Sequence, residues 1–382
     1  MYDGLAPKLG TDWAKQTCTE IEEFAAIHAD ELFECTKAAR FPRELYEDMG
    51  LRGWIGPITD AESGGLGGGV ADYCLICEEV ARHGLVSPQI SVQGQRWLSK
   101  WGSPQQQDTY LRGIARGEVI FSESISEPDA ASSLKDLRAS ARRDGGDWIL
   151  EGRKTHVNLG HQSDVTLVYA NAEGSGLTAF LVDTSLPGVS SRQTDPIGLR
   201  LLPTADMWFE SVRVPSEAVL GSVGGGLETF LGTFNVSRLG NASELIGFAR
   251  RALSRAITYA NGREVGSGHV TDFQGIQWIV ADCYLAIYAA SLARNHAATI
   301  ADSGADPALA TSLAKKAAID AAELTINSCF SLIGSHGLYT DTDFGQLLAD
   351  LKVYRVAGGS LEIMRNYIAR RVLRDPQQAG LV

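Results

Sequence analysis

The feature that most limits the folding of this chain is a change of apolar periodicity that happens twice. Up to residue 118, apolar residues recur at helical spacing over 13–27, 42–49, 71–83 and around 90–101, with Gly, Pro and Ser breaks between. From 119 to 222 they alternate or cluster in short runs at 119–125, 139–142, 148–151, 166–170, 179–182 and 207–214. Asp144-Gly145-Gly146 and Leu186-Pro187-Gly188 punctuate these runs as turns. Long helical stripes then return over 242–261, 272–296, 308–334 and 344–356, and 361–372 closes the series. Helix, strand, helix in one chain of 382 residues predicts an α+β protein with an N-terminal helical domain (1–118), a middle β domain (119–222) and a C-terminal helical bundle (223–382).

Composition narrows the partners. A net charge of −12 argues against nucleic acid or an anionic membrane, since both select a basic face. No stretch approaches the roughly 20 apolar residues that span a bilayer, and residues 1–13 carry neither a basic start nor an apolar run, so a signal peptide is not expected. Six cysteines in this length are too sparse for a disulfide framework and fit reduced thiols in a cytosol. Cys74 and Cys77 form a CxxC on a helix without a second ligand pair, which favours packing over metal binding. The glycine run 64–69 has no strand before it and does not match a phosphate-cradling spacing, so it reads as a flexible connection.

Several short motifs fall in a fixed order along these zones. Ser124-Ile125-Ser126-Glu127-Pro128-Asp129-Ala130 opens the β zone, and Lys154-Thr155-His156-Val157-Asn158-Leu159-Gly160 follows within it. Phe209-Glu210-Ser211-Val212-Arg213-Val214-Pro215 ends the zone. Tyr259-Ala260 with Arg263, Phe273-Gln274, Ile333-Gly334-Ser335-His336-Gly337 and Ile363-Met364-Arg365-Asn366-Tyr367-Ile368-Ala369-Arg370 punctuate the helices. Taken in this order over roughly residues 40–372, the set resembles the signatures of the acyl-CoA dehydrogenase superfamily.

The resemblance implies a middle β-barrel-like domain, a C-terminal four-helix bundle, FAD, and a homo-oligomer, a tetramer or dimer. It implies that Ser124, Ile125 and Ser126 contact the flavin ring and that His156 and Asn158 stand where the family places a tryptophan and a threonine beside it. Arg263 would hold the FAD pyrophosphate as a fixed planar cation. Gln274, Gly334 and Ser335 would complete a neighbouring subunit's cofactor site, with Ser360 near the flavin. Gln93, Arg96 and Asn241 fall at positions that line the acyl pocket.

The implied reaction is oxidation of an acyl thioester, on CoA or a carrier protein, with electrons passing through FAD to an acceptor protein or O₂. That chemistry needs a carboxylate base in a dry pocket, and the family places a glutamate at one of two positions. Here those positions are Gly358 and Ser237. Glu244 is the candidate relocated base: Ser237, Asn241 and Glu244 share a helix face, although Glu244 lies about 10 Å along the axis from Ser237. Oxidation of a polar acyl group, as in assembly-line relatives, is one alternative. A flavin monooxygenase using His156, His336 and Ser360 is a second, and a base-less partner subunit of a mixed complex is a third.

Overall fold

The computed structural model describes residues 4–130 and 133–376. Six helices open the chain: α1 (Thr11–Ile27), α2 (Ala29–Ala38), α3 (Arg43–Leu51), α4 (Val70–His83), α5 (Gln89–Trp101) and α6 (Pro104–Ala115). Two of them, α2 and α6, were not expected from periodicity. α6 is started by a reciprocal cap, in which Ser103 Oγ accepts from the Gln106 amide and the Gln106 side chain accepts from the Ser103 amide.

The glycine run between α3 and α4 corrects the expectation of a flexible connection. It is a packed crossing, in which Leu66 N bonds Gly56 O at 2.9 Å and Gly67 N bonds Thr59 O at 2.8 Å. A Cβ on Gly65 would lie 2.2 Å from Thr59 O, so only glycine lets the two backbones meet.

The β zone forms one curled sheet of β1 (Phe121–Ser124), β2 (Ser140–Asp144), β3 (Asp147–Asn158), β4 (Val165–Ala172), β5 (Gly176–Asp183), β6 (Val189–Gln193) and β7 (Thr204–Val214). β4 is its hub: β1 and β2 run parallel to it along one edge, and β5 pairs antiparallel on the other. Alternation along β4 separates two cores. Val168 and Ala170 pack inside the sheet with Trp148, Phe180, Met207 and Phe209, while Leu167 and Tyr169 face the helices beside Trp97 and Phe121.

The C-terminal part contains α7 (Gly226–Leu231), α8 (Phe234–Gly262), α9 (Gln274–Asp302), α10 (Ala308–Ile333), α11 (Phe344–Val356) and α12 (Leu361–Arg374). A minimal hairpin, β8 (Glu264–Val265) with β9 (Gly268–His269), follows α8. α8 is the central rod, buried along most of its length and packed on α4, α9, α10 and α11. Glu78 of α4 pairs with Arg294 of α9 at 2.7 Å, and Arg294 donates to Ser243 of α8, which fixes the three helices together.

One element overturns an expectation. α9 is long and apolar enough to cross a membrane, with a mean hydropathy of 1.4 in its most apolar stretch, of which only 17% is buried. Its inner side packs Cys283, Ile287 and Ala290 into the bundle, leaving Trp278, Leu285 and Leu292 outward.

Candidate functional site

The Ser124–Ser126 segment is held by a buried ion pair. Lys154 of β3 donates to Glu127 at 2.8 Å and to Ile125 O at 3.0 Å, and Thr155 N bonds Ser126 O at 2.9 Å. Glu127 also accepts from the Arg138 and Ala139 amides. Burial pushes the Glu127 carboxyl up, but Lys154 and those amides outweigh it and hold the group below its usual range. The chain after β1 is therefore tied to β3, and Ser126 sits beside the two exposed residues at the end of the latter strand.

Those residues are His156 and Asn158, which face out from β3 while Val157 between them faces in. His156 has φ 57, at a shift in the β3–β7 register. This left-handed conformation is costly outside glycine and re-aims the side chain out of the sheet. Ser126, His156 and Asn158 thus form one patch, half-open and polar. Ser124 does not belong to it, contrary to expectation: its hydroxyl bonds Thr166 at 2.8 Å inside the sheet, because strand alternation turns it away.

The same alternation turns Glu123 toward the helices. Glu123 stands between Phe121 and Ile125, both of which pack on the helical core. Its Oε1 is sealed from solvent without a hydrogen-bond partner, and so is the Tyr169 hydroxyl. Burial pushes the Glu123 carboxyl up to about 8; the Tyr169 phenol is pushed well above its ordinary value by burial and then by Glu123. Tyr169 meets Phe230 edge-on at 5.9 Å and Phe230 meets Phe234 at 5.4 Å. A Cβ on Gly359 would lie 3.3 Å from Phe234, so these rings lead from Glu123 to the 357–360 turn.

That turn, between α11 and α12, is built around Lys315 of α10. Its ammonium, fully buried, donates to Gly359 O at 2.9 Å and to Ala357 O. Gly358 has φ +65, and a Cβ there would lie 2.2 Å from Asn241 Nδ2 and 3.3 Å from Lys315 Nζ. The Asn241 carboxamide fills the space through which a side chain at 358 would leave. Ser360 leans on the start of α12 as its N-cap, accepting from Ile363 N at 3.5 Å.

On the helix side, Gln93 donates to Ser237 at 2.9 Å and Gln89 to the Tyr354 hydroxyl at 3.0 Å. Both oxygens of Glu244 are engaged, one by Ser87 and the other by Tyr354. Burial pushes the Glu244 carboxyl up to about 7 although these hydroxyls pull it down. A cleft of about 900 Å³ between α1, α2, the 199–202 loop and α11 reaches Ser87 and Glu244; its lining does not include Ser126, His156, Asn158 or Asn241. Arg96 is largely buried and feels Tyr73 and Asp302, on the α4 side of α5.

The remaining expected residues form a separate patch. Arg263, Gln274, Gly334 and Ser335 are exposed, and the Tyr259–His336 ring stack at 4.6 Å ties the end of α8 to the 334–338 turn. Arg263 is 22 residues from Asn241 (263 − 241), about 33 Å along α8. The structure brings Ser126 to the outward end of β3 beside His156 and Asn158, and it holds Arg263 at the opposite end of α8 from Asn241.

Comparison with known proteins decides what this arrangement is. The acyl-CoA dehydrogenase N-terminal, middle and C-terminal domain families match residues 11–118, 122–212 and 224–373. The chain belongs to the acyl-CoA dehydrogenase family. A 3-(aryl)acrylate reductase of Clostridium sporogenes is 32% identical over 97% of this chain and 98% of that protein. The mitochondrial short-chain specific acyl-CoA dehydrogenase of Rattus norvegicus is 30% identical over 94% of this chain and 89% of that protein. Among solved structures, a glutaryl-CoA dehydrogenase from Mycobacterium smegmatis in complex with FADH₂ superposes with a TM-score of 0.87 at 25% identity, covering 97% of this chain and 98% of that one.

An acyl-CoA dehydrogenase of this kind is an FAD-dependent oxidoreductase, and the patch fits the cofactor. A strained, outward histidine beside a tethered serine loop offers a surface that a bound ring would cover. A glutamate cannot simply be placed at 358. Gly358→Glu would force a left-handed φ and displace Asn241, with an expected loss of about 2 kcal/mol from these two strains. Thermal unfolding checks this, and Asn241→Gly in the same chain should recover part of the loss.

Proposed function

We propose that this chain interconverts a saturated acyl group and its 2,3-unsaturated counterpart, with Glu123 carrying the α-proton in place of the family's missing glutamate. The observation behind it is the half-buried Glu123, whose carboxyl Oε1 is sealed without a partner on the helix-facing side of β1, two residues before Ile125 and the tethered Ser126. FAD, when bound, accepts or supplies the β-hydride. In the oxidative direction, the α C–H bond breaks and its proton goes to the Glu123 carboxylate. In the reductive direction, the protonated carboxyl gives that proton to the α-carbon. A carboxyl pushed up to about 8 by burial is mostly protonated at neutral pH, so it is poised as a proton donor. The name of the Clostridium sporogenes relative, an acrylate reductase, supports the reductive direction.

The acyl chain would lie along Gln93, Ser237 and Asn241, with Ser87, Tyr354 and Glu244 forming a polar floor. Glu244 itself is less suited to take a proton, because both of its oxygens already accept from hydroxyls. The test is anaerobic flavin absorbance against acyl-CoAs, acyl-carrier thioesters and free 2-enoates. Bleaching by a saturated member, or reoxidation of reduced flavin by an unsaturated one, supports the reading; neither with any member sinks it.

The second half of the FAD site would come from another copy. Arg263 caps the far end of α8, Gln274, Gly334 and Ser335 are exposed on other elements, and the outward apolar side of α9 supplies a face for self-association. Arg263→Ala should release FAD on gel filtration, read as loss of yellow colour from the protein peak; full retention removes its pyrophosphate role.

A second reading has His156 behind it. Its φ of 57 sets an imidazole on the flavin patch, as a flavin monooxygenase of the same fold would require. Fast oxygen use by the reduced protein, without bleaching or reoxidation by any acyl substrate, would select that reading.

A further inference from the structure

Buried cations in this protein are generally neutralised. Arg294 is paired with Glu78 at 2.7 Å, and Lys154 with Glu127 at 2.8 Å. Arg238 of α8 and Lys315 of α10 depart from this, as does Arg96 of α5. Arg238 is 7% exposed and Lys315 is fully buried, and among the described residues neither has a carboxylate partner.

Their neighbours are neutral. Arg238 Nη1 lies 3.3 Å from Ser312 Oγ and 3.5 Å from Asn235 Oδ1, its guanidinium rides over the Phe234 ring at 4.5 Å, and its Nε has no acceptor. Lys315 has only the carbonyls of Ala357 and Gly359. The two cations also oppose each other: burial, then Arg238, push the Lys315 ammonium down to about 7. Asn241 adds its Nδ2 against Gly358. N–H donors of Lys315 and Asn241 therefore lie against the 357–360 turn, where the family resemblance places a glutamate, and Arg238 is near enough to Lys315 to oppose its charge.

We infer that Arg238 and Lys315, with Asn241, form a seat for a carboxylate carried by the acyl substrate on or next to its α-carbon. This rests on the acyl-redox reading of the site. A charge that the family provides from the protein is here brought by the substrate, to a place that is otherwise positive and enclosed. A carboxylate matches the planar donor fork of Arg238, and its position beside Gly358 puts it at the reacting end of the acyl group. Two sources share this chemistry. One is a free 2-enoate, whose own carboxylate replaces the thioester; the other is a thioester with a second carboxylate on the α-carbon.

Isothermal titration of the FAD-loaded protein tests this with two matched pairs. Cinnamate against cinnamamide probes the free acid, and methylmalonyl-CoA against isobutyryl-CoA probes the α-carboxyl thioester. The charged member of one pair should bind about tenfold tighter or better than its neutral partner, and the pair that shows this names the source. In Arg238→Gln and in Lys315→Met the charged member should fall to the affinity of its neutral partner, so that the preference vanishes. Arg238→Gln keeps the test decisive if Lys315→Met fails to fold, since Lys315 also holds the turn. Equal affinities within both pairs, no binding of any member, or a preference that survives Arg238→Gln would overturn the seat. A carboxylate preference without flavin bleaching or reoxidation would sink the proposed reaction and leave the seat standing; flavin chemistry without the preference would do the reverse.

Discussion

Glu123→Gln is expected to slow flavin reduction or reoxidation by an acyl substrate about 10²–10⁴-fold, the usual contribution of a positioned acid–base group. The variant should stay folded and yellow, because glutamine keeps the size of the side chain and removes only the titrating proton. Wild-type pH profiles follow from a folded value of about 8. The oxidative rate needs the carboxylate, so it should rise about tenfold per pH unit up to about 8 and then level. The reductive rate needs the protonated form, so it should be flat below about 8 and fall above it. Both dependences should disappear in Glu123→Gln. Glu244→Gln is the control: it disturbs two buried hydroxyl contacts, so about 1–3 kcal/mol of stability should be lost while the chemical step is largely kept. A collapse of the chemical step in Glu244→Gln alone would return the proton to Glu244.

Lys154→Met is expected to cost about 3–5 kcal/mol of stability, the usual consequence of removing one partner of a buried ion pair. It strands Glu127 with backbone amides and frees Ile125 O, so the Ser124–Ser126 segment should loosen and FAD affinity should fall as well. Urea unfolding at neutral pH with a parallel FAD titration measures both. The pair also sets an acid limit. Glu127 is held below its usual range, so its contribution is complete above the unfolded carboxyl value and is lost as pH falls through the folded one. Wild-type protein should therefore lose stability in acid, and Glu127→Gln with Lys154→Met should flatten that loss. An unchanged unfolding midpoint in Lys154→Met would contradict the tether.

Much of the fold was legible because the change of periodicity coincides with motifs in a fixed order. β6 was not, since Val189–Gln193 has one apolar residue and is defined by pairing with β7. α6 carried a readable start, Ser103-Pro104 with Gln106, that apolar periodicity does not weigh. The site was half legible. Sequence alone singled out Ser126, His156 and Asn158, but not that Ser124 points inward. Glu123 had a visible signal: it falls on the period-two face shared by Phe121 and Ile125, where a carboxylate is out of place. Lys315 shares the buried stripe of Thr311, Ala314, Ala318 and Ala322, yet its neighbour Lys316 is of the same type, and only packing separates them. The lack of a carboxylate around Arg238 is a property of three dimensions and leaves no mark in the sequence.

Solvent deuterium exchange at the α-carbon tests the central claim most directly. Protein is incubated in D₂O with the acyl substrate that passes the flavin test, and label at that carbon is read by mass spectrometry in wild type, Glu123→Gln and Glu244→Gln. Rapid labelling is expected in wild type and in Glu244→Gln, with labelling lost in Glu123→Gln. Labelling that survives in Glu123→Gln at the wild-type rate would contradict the claim, because the α-proton would then travel by another group.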